Sequence, residues 1–185
     1  MDVQLHPAGN SATGMALGAL ARKRGIPAIL LVRTQAAKVA LEALGEPHVL
    51  VAQGDFAHTL GALSATLGAT VVFDGVGGEL VSNIAPILPP VSTIYFYGLL
   101  AGNAPVAISP ALFMMKNLTM KRFSNFESAT VKDEQNLIVS LEYLEGVIED
   151  PACRTTLGES FPYEQIDAAM AYHPPGGAKA ILVAG

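Results

Sequence analysis

Residues Gly9-Asn10-Ser11-Ala12-Thr13-Gly14 stand between a short apolar run, Val3–His6, and a stretch that opens at Met15-Ala16-Leu17. Small residues at that density suit backbone that something approaches closely. The spacing is that of G-x-G-x-x-G, with Ser11 at the middle glycine. Gly9 can supply a tight turn, and Gly14 a close contact between helix and strand. Ser11 is small enough to admit a diphosphate, and its hydroxyl could donate to a phosphate oxygen. The first amides of a following helix add unpaired N–H donors and the positive end of the helix dipole. The other reading of the same residues is an ordinary small-residue turn from strand to helix.

Three further stretches carry possible chemistry. In "LLVRTQAAK", Arg33 and Thr34 follow the second apolar run. NAD-preferring sites place a carboxylate there, about 20 residues beyond the glycine turn, to bind ribose hydroxyls. An acid would repel a 2′-phosphate, whereas a guanidinium can bind one through paired hydrogen bonds, with Thr34 and Lys38 able to assist. NADPH is therefore expected over NADH. The plain alternative is a solvated arginine at a helix start, where a cation opposes the dipole. In "VVFDGVGGEL", Asp74, Gly75, Val76 and Gly77 leave the fourth strand and keep the crevice floor low. Asp74 is either a base or, as such acids more often are, the group that orders the loop or caps the helix. In "YFYGLLAGN", Tyr97, Gly98 and Leu99 close the fifth strand, where a nicotinamide ring would lie in this architecture. Tyr95 and Tyr97 share one side of that strand, so either can also be core.

The elements that must position these residues alternate. Strands are expected at Val3–His6, Ala28–Val32, His48–Ala52, Ala69–Phe73, Ser92–Tyr97 and Leu118–Phe123. Helices are expected at Ser11–Arg24, Gln35–Leu44, Phe56–Leu67 and Gly78–Leu88, the first three stopped by Gly25, Gly45 and Gly68 and the last by Pro89-Pro90. Strand and helix alternating through short connections imply parallel pairing by right-handed crossovers. The expected fold is α/β: a Rossmann-type doubly wound parallel six-stranded sheet with a C-terminal helix-strand tail. Ligands of such sheets bind beyond the carboxyl ends of the strands, at the switch point. After Phe126 the pattern changes. A helix over Asp133–Ile148 leads to an extended piece, a helix over Tyr163–Tyr172, a Pro-Gly turn containing His173, and a terminal strand at Ala180–Ala184. That tail does not fit another βα crossover.

Composition excludes several classes. The chain of 185 residues is 51% hydrophobic and 15% charged, too apolar for disorder. A net charge of −5 with scattered basic residues argues against a nucleic-acid surface. No apolar run approaches the roughly 18 residues a membrane helix needs, and no basic-then-apolar leader is present. The single cysteine, Cys153, cannot form an internal disulfide. It fits a reducing, cytoplasmic setting. The histidines, His6, His48, His58 and His173, show no metal-ligand spacing, so no metal site is expected. His6, beside the glycine turn, reads as structural.

Taken in order, "AGNSATG", "AILLVRT", "VVFDGVGGEL", "STIYFYGLLAG", "MMKNLTMKRFSNF" and "FPYEQIDAAM…GGAKAILV" resemble the cofactor-binding domain of the medium-chain dehydrogenase/reductase superfamily. The resemblance is closest to its zinc-independent branch, the NADPH:quinone oxidoreductases and 2-enoyl thioester reductases, and covers nearly the whole chain. It implies that Gly9 to Gly14 hold a pyrophosphate and Arg33 a 2′-phosphate. It also implies that Asp74 to Gly78 and Tyr97 to Leu99 line the ribose and nicotinamide, with Phe123 and Ser124 closing over the cofactor. Family members carry a separate N-terminal GroES-like barrel that supplies most of the substrate pocket. The expected division is thus a dinucleotide-binding domain at 1–150 and, at 151–185, a tail that would pack on that other domain, the chain being an excised domain or a truncated relative. The implied activity is hydride transfer from NADPH to a quinone, enone or enoyl thioester. A stand-alone dinucleotide-binding redox sensor without catalysis is the alternative. No catalytic residue is assigned. The family pairs the sheet-edge strand near 117–125 across a twofold axis, which implies a homodimer; Lys121 and Arg122 could instead be edge-protecting charges in a monomer.

Overall fold

The strand order reverses beside the first strand, and that reversal places the site. In the computed structural model, which describes residues 3–172, 174 and 178–184, the chain runs β1 (Val3–His6), α1 (Ala12–Lys23), β2 (Ala28–Val32), α2 (Gln35–Ala43), β3 (Val49–Val51), α3 (Phe56–Leu67), β4 (Ala69–Asp74), α4 (Gly78–Ile84), β5 (Thr93–Phe96), α5 (Pro110–Met115) and β6 (Thr119–Arg122). The six strands form one sheet in the order β3-β2-β1-β4-β5-β6, with every pairing parallel. β1 and β4 are neighbours, but their following helices leave to opposite faces. A crevice therefore opens beyond their carboxyl ends, between the turn at 9–14 and the loop at 74–78.

β2 shows why the sheet is covered on both sides. All five residues of its AILLV run are buried. Ile29 and Leu31 join Leu5, Val72 and Ile94 under Leu60 of α3 and Val81 and Ile84 of α4. Leu30 and Val32 face the other way and meet Leu41 of α2, Val49 and Met15 of α1. Each such side chain contributes about 1.5–3 kcal/mol by leaving water.

Local chemistry sets the helix ends. Ser11 caps α1, so that helix begins at Ala12. The helix expected to reach Leu88 stops at Ile84 and becomes a single tighter turn, Ala85–Ile87. Pro86 has no N–H to continue the ladder. Helix α5 was not expected from the sequence; Ser109 caps it and Pro110 occupies its first turn.

The cations that end α1 do more than complement its dipole. Arg22 pairs with Glu46 and, at 2.8 Å, with Asp150. Lys23 donates to the Gly146 carbonyl at 2.6 Å, and the Arg24 guanidinium lies 4.6 Å from the centre of the Tyr143 ring. These contacts bind α1 to the end of a helix at Glu134–Glu145, here α7, that follows the one-turn α6 (Ala129–Lys132). Glu46 is almost fully buried, and burial raises its pKa, with Asp150 adding to the rise and Arg22 opposing it.

The tail corrects one expectation. Leu157–Pro162 (β7), Ile166–Ala171 (α8) and Lys179–Val183 (β8) form a strand-helix-strand crossover of their own, with β7 and β8 parallel. β7 is the extended piece expected before the Tyr163–Tyr172 helix; Gly158-Glu159-Ser160 breaks its apolar pattern, and Phe161 is its buried anchor. Phe161 meets Tyr172 edge to face at 5.6 Å. The turn expected around His173 lies outside the described residues.

Candidate functional site

The first wall of the crevice is the β1-to-α1 turn. Gly9 donates its amide to Leu31 at 2.8 Å, so closely that a Cβ on Gly9 would stand 2.8 Å from the Leu31 carbonyl oxygen. A Cβ on Gly14 would collide with the Ala8 carbonyl. Both glycines are thus demanded by helix-to-strand packing. The Ser11 hydroxyl donates to Ala8 O at 2.7 Å and accepts from the Gly14 amide at 3.0 Å. The donation to a phosphate that its position suggested is therefore replaced by capping; its proton is held by Ala8. Asn10, Ala12 and Thr13 are exposed, and the first amides of α1 face the opening with the positive end of a helix of 12 residues.

The second wall is built from two loops bound to each other. Asp74, fully buried, accepts from the amides of Val76 at 3.2 Å and Gly77 at 2.7 Å. Burial raises its pKa against the pull of those two hydrogen bonds. Asp74 therefore orders the loop, the second of its two readings. Gly77 takes φ +76°, a left-handed backbone that suits glycine. The amides of Tyr97, Leu100 and Ala101 donate to the carbonyls of Asp74, Gly75 and Val76 at 2.8, 3.0 and 2.9 Å. Gly98 sits so close that a Cβ there would lie 2.9 Å from Gly75 O. The Tyr97 ring lies against Gly75, where a Cβ would meet it at 2.7 Å. Its hydroxyl is buried beside that of Ser11 without completing a hydrogen bond. Burial is the main cause of its raised pKa. Leu99 is exposed.

Arg33 lies at the carboxyl end of β2, next to β1, with an exposed side chain that joins no ion pair among the described residues. Its carbonyl accepts from Gln53 Nε2 at 2.7 Å. Gln53 lies 20 residues away on a loop, and no local spacing pointed to it. Thr34 caps α2, accepting from the Ala37 amide at 3.2 Å. Lys38 lies 3.7 Å from Glu42 on the same helix. The Phe123 ring packs edge-on against Phe73 at 6.2 Å, at the end of a row in which His6 and Tyr95 stack on Phe73. Ser124, partly exposed, follows it. Phe73, Tyr95 and Phe123 of that row line an open groove of about 400 Å³ with Gln4, Ile26 and Val71. His6 is fully buried, and burial pulls its pKa down to about 4.

Among the described residues no three His, Cys, Asp or Glu side chains gather to hold a metal ion, and no helix is long and apolar enough to cross a membrane.

A family model described as zinc-binding dehydrogenase matches residues 12–140, from the first turn of α1 into α7. The chain belongs to that family. Solved reductase structures share its fold. A 2-haloacrylate reductase superposes with a TM-score of 0.77 at 19% identity, covering 98% of this chain and 57% of that one. A mycobacterial quinone oxidoreductase gives 0.72 at 21%, covering 90% and 53%. A mutant enoyl thioester reductase from Candida tropicalis gives 0.70 at 21%, covering 92% and 51%. The chain thus spans about half the length of the solved structures it matches. Among curated proteins, none matches the sequence.

Proposed function

We propose that this chain is the NADPH-binding domain of a zinc-independent oxidoreductase of the quinone- or enoyl-reductase type. The observation that carries the reading is the pairing of two features on adjacent strands. A glycine turn that admits no Cβ opens α1 beyond β1, and a guanidinium that joins no ion pair among the described residues, Arg33, stands at the end of β2. The residues present fit a dinucleotide: Gly9 and Gly14 hold the backbone close, and the Tyr97 hydroxyl is a buried donor without a partner.

When bound, NADPH supplies the hydride. The amides at the mouth of α1 would hold its diphosphate, and Arg33 its 2′-phosphate. Thr34 and Lys38 flank that phosphate end. Asp74, through the Val76 and Gly77 amides, keeps the loop at 74–78 low beneath the ribose and nicotinamide. Gly98 and Leu99 line the same side. Phe123 and Ser124 would close over the cofactor. The substrate class is drawn from the matched reductases, one of which was solved with NADP and crotonyl-CoA. The 151–185 tail would pack on a second, substrate-binding domain. Pairing of two copies along β6, and a cytoplasmic setting, belong to the same proposal.

Titration of the purified chain with NADPH, NADH and S-adenosylmethionine tests this. NADPH is expected to bind best and S-adenosylmethionine not at all. Absence of dinucleotide binding would defeat the proposal, and binding without turnover in any assembly containing the chain would favour the sensor.

A further inference from the structure

We propose that Tyr97 donates its phenolic hydrogen bond to the diphosphate of the bound dinucleotide, from the opposite wall of the crevice. The inference rests on the dinucleotide reading above and assigns Tyr97 to the diphosphate, away from the ribose and nicotinamide side.

The position follows from backbone that cannot easily shift. The Tyr97 amide is fixed to Asp74 O, and the next residues are fixed to Gly75 and Val76. From the end of β5 the ring crosses the end of β4, flat enough on Gly75 that no side chain fits between them. Its hydroxyl arrives beside Ser11, the residue that caps α1. Tyr97 thus spans the switch point from one wall to the other. A buried hydroxyl without a partner costs free energy that an acceptor would recover. Ser11 donates to Ala8 and accepts from Gly14, and it does not complete a bond to the phenol in the observed geometry. An anion resting on the first amides of α1 would bring phosphate oxygens to this place. Burial keeps the phenol protonated and therefore a donor. Glycine at position 75 is what gives the ring room to reach; at most other residues the side chain would push it outward.

The test compares Tyr97→Phe with the unaltered chain against three ligands: NADPH and ADP, which carry a diphosphate, and adenosine 2′-monophosphate, which does not. Phenylalanine keeps the ring on Gly75, so the thermal midpoint should hold. Affinity for NADPH and ADP should fall by about tenfold, with that for adenosine 2′-monophosphate unchanged. Equal losses for all three ligands would mean that Tyr97 only shapes the crevice, and would overturn the assignment. Unchanged or tighter binding of ADP would overturn it too, the tyrosine then being a filler or a plug. If the unaltered chain bound neither NADPH nor ADP, the dinucleotide reading itself would fall with it; if it bound both and Tyr97→Phe behaved like it, only the role of Tyr97 would fall.

Discussion

The two glycine loops that face each other across the crevice are built by different means. At 9–14 the glycines are forced by crowding: β2 occupies the space beside Gly9, the backbone of Ala8 and Gly9 occupies that beside Gly14, and the conformation is ordinary. At 74–78 the position of Gly77 is open, and its backbone is what requires glycine, at φ +76°. The groups that hold the loops differ as well. The first is closed by a neutral hydroxyl, Ser11, whose donor and acceptor are both used locally. The second is closed by a buried carboxylate, Asp74, held by two amides. The strand leading to the first ends in a buried neutral imidazole, His6. A turn fixed by packing gives a rigid seat for an anion at the helix mouth. A loop fixed by hydrogen bonds gives a floor that an adjacent loop, through Tyr97, can lean on.

Substitutions can separate the two designs. Gly14→Ala should be the most damaging, costing at least about 3 kcal/mol of folding stability in denaturant titrations, because backbone must move. Gly77→Ala should cost only about 1–2 kcal/mol, since nothing is displaced. Similar losses at both positions would erase the distinction drawn here.

His6 provides a pH test. Its pKa is about 4 in the folded chain against 6.5 when unfolded. Between those values the unfolded chain binds the extra proton, so stability rises with pH. The contribution, on the order of 3 kcal/mol, is complete above pH 6.5 and is lost as pH falls toward 4. Asp74 and Glu46, raised by burial, act in the opposite sense, stability falling as pH rises through their range. The difference between the unaltered chain and His6→Gln isolates the imidazole. A parallel pair of stability curves would show that His6 is not held neutral by the fold. The smallest effect belongs to the cap: Ser11→Ala should cost about 1 kcal/mol and leave the Asp74 loop untouched.

Much of this arrangement is legible in the residues. Continuous apolar runs such as AILLV mark strands covered on both faces, and Gly25, Gly45 and Gly68 mark the ends of helices, so a six-stranded parallel sheet follows. β7 was legible only as an extended piece, and its pairing with β8 was not, because a strand with one buried side chain has no pattern to show. Helix α5 is too short to display a period. At the site, the glycine positions stand out, but whether Ser11 or Thr34 serves a ligand or a helix end cannot be read from residue type, since both tasks use the same hydroxyl. Gln53 and the reach of Tyr97 to Ser11 depend on contacts between distant segments, which no local spacing encodes. The packing of Phe123 against Phe73 depends on the sheet register in the same way.

The central claim is that the guanidinium at the end of β2 reads the phosphate that distinguishes NADPH from NADH. Calorimetric titration of Arg33→Ala with both cofactors tests it most directly. Binding of NADPH should weaken by ~1–3 kcal/mol while that of NADH stays nearly constant. Equal losses for the two cofactors would contradict it.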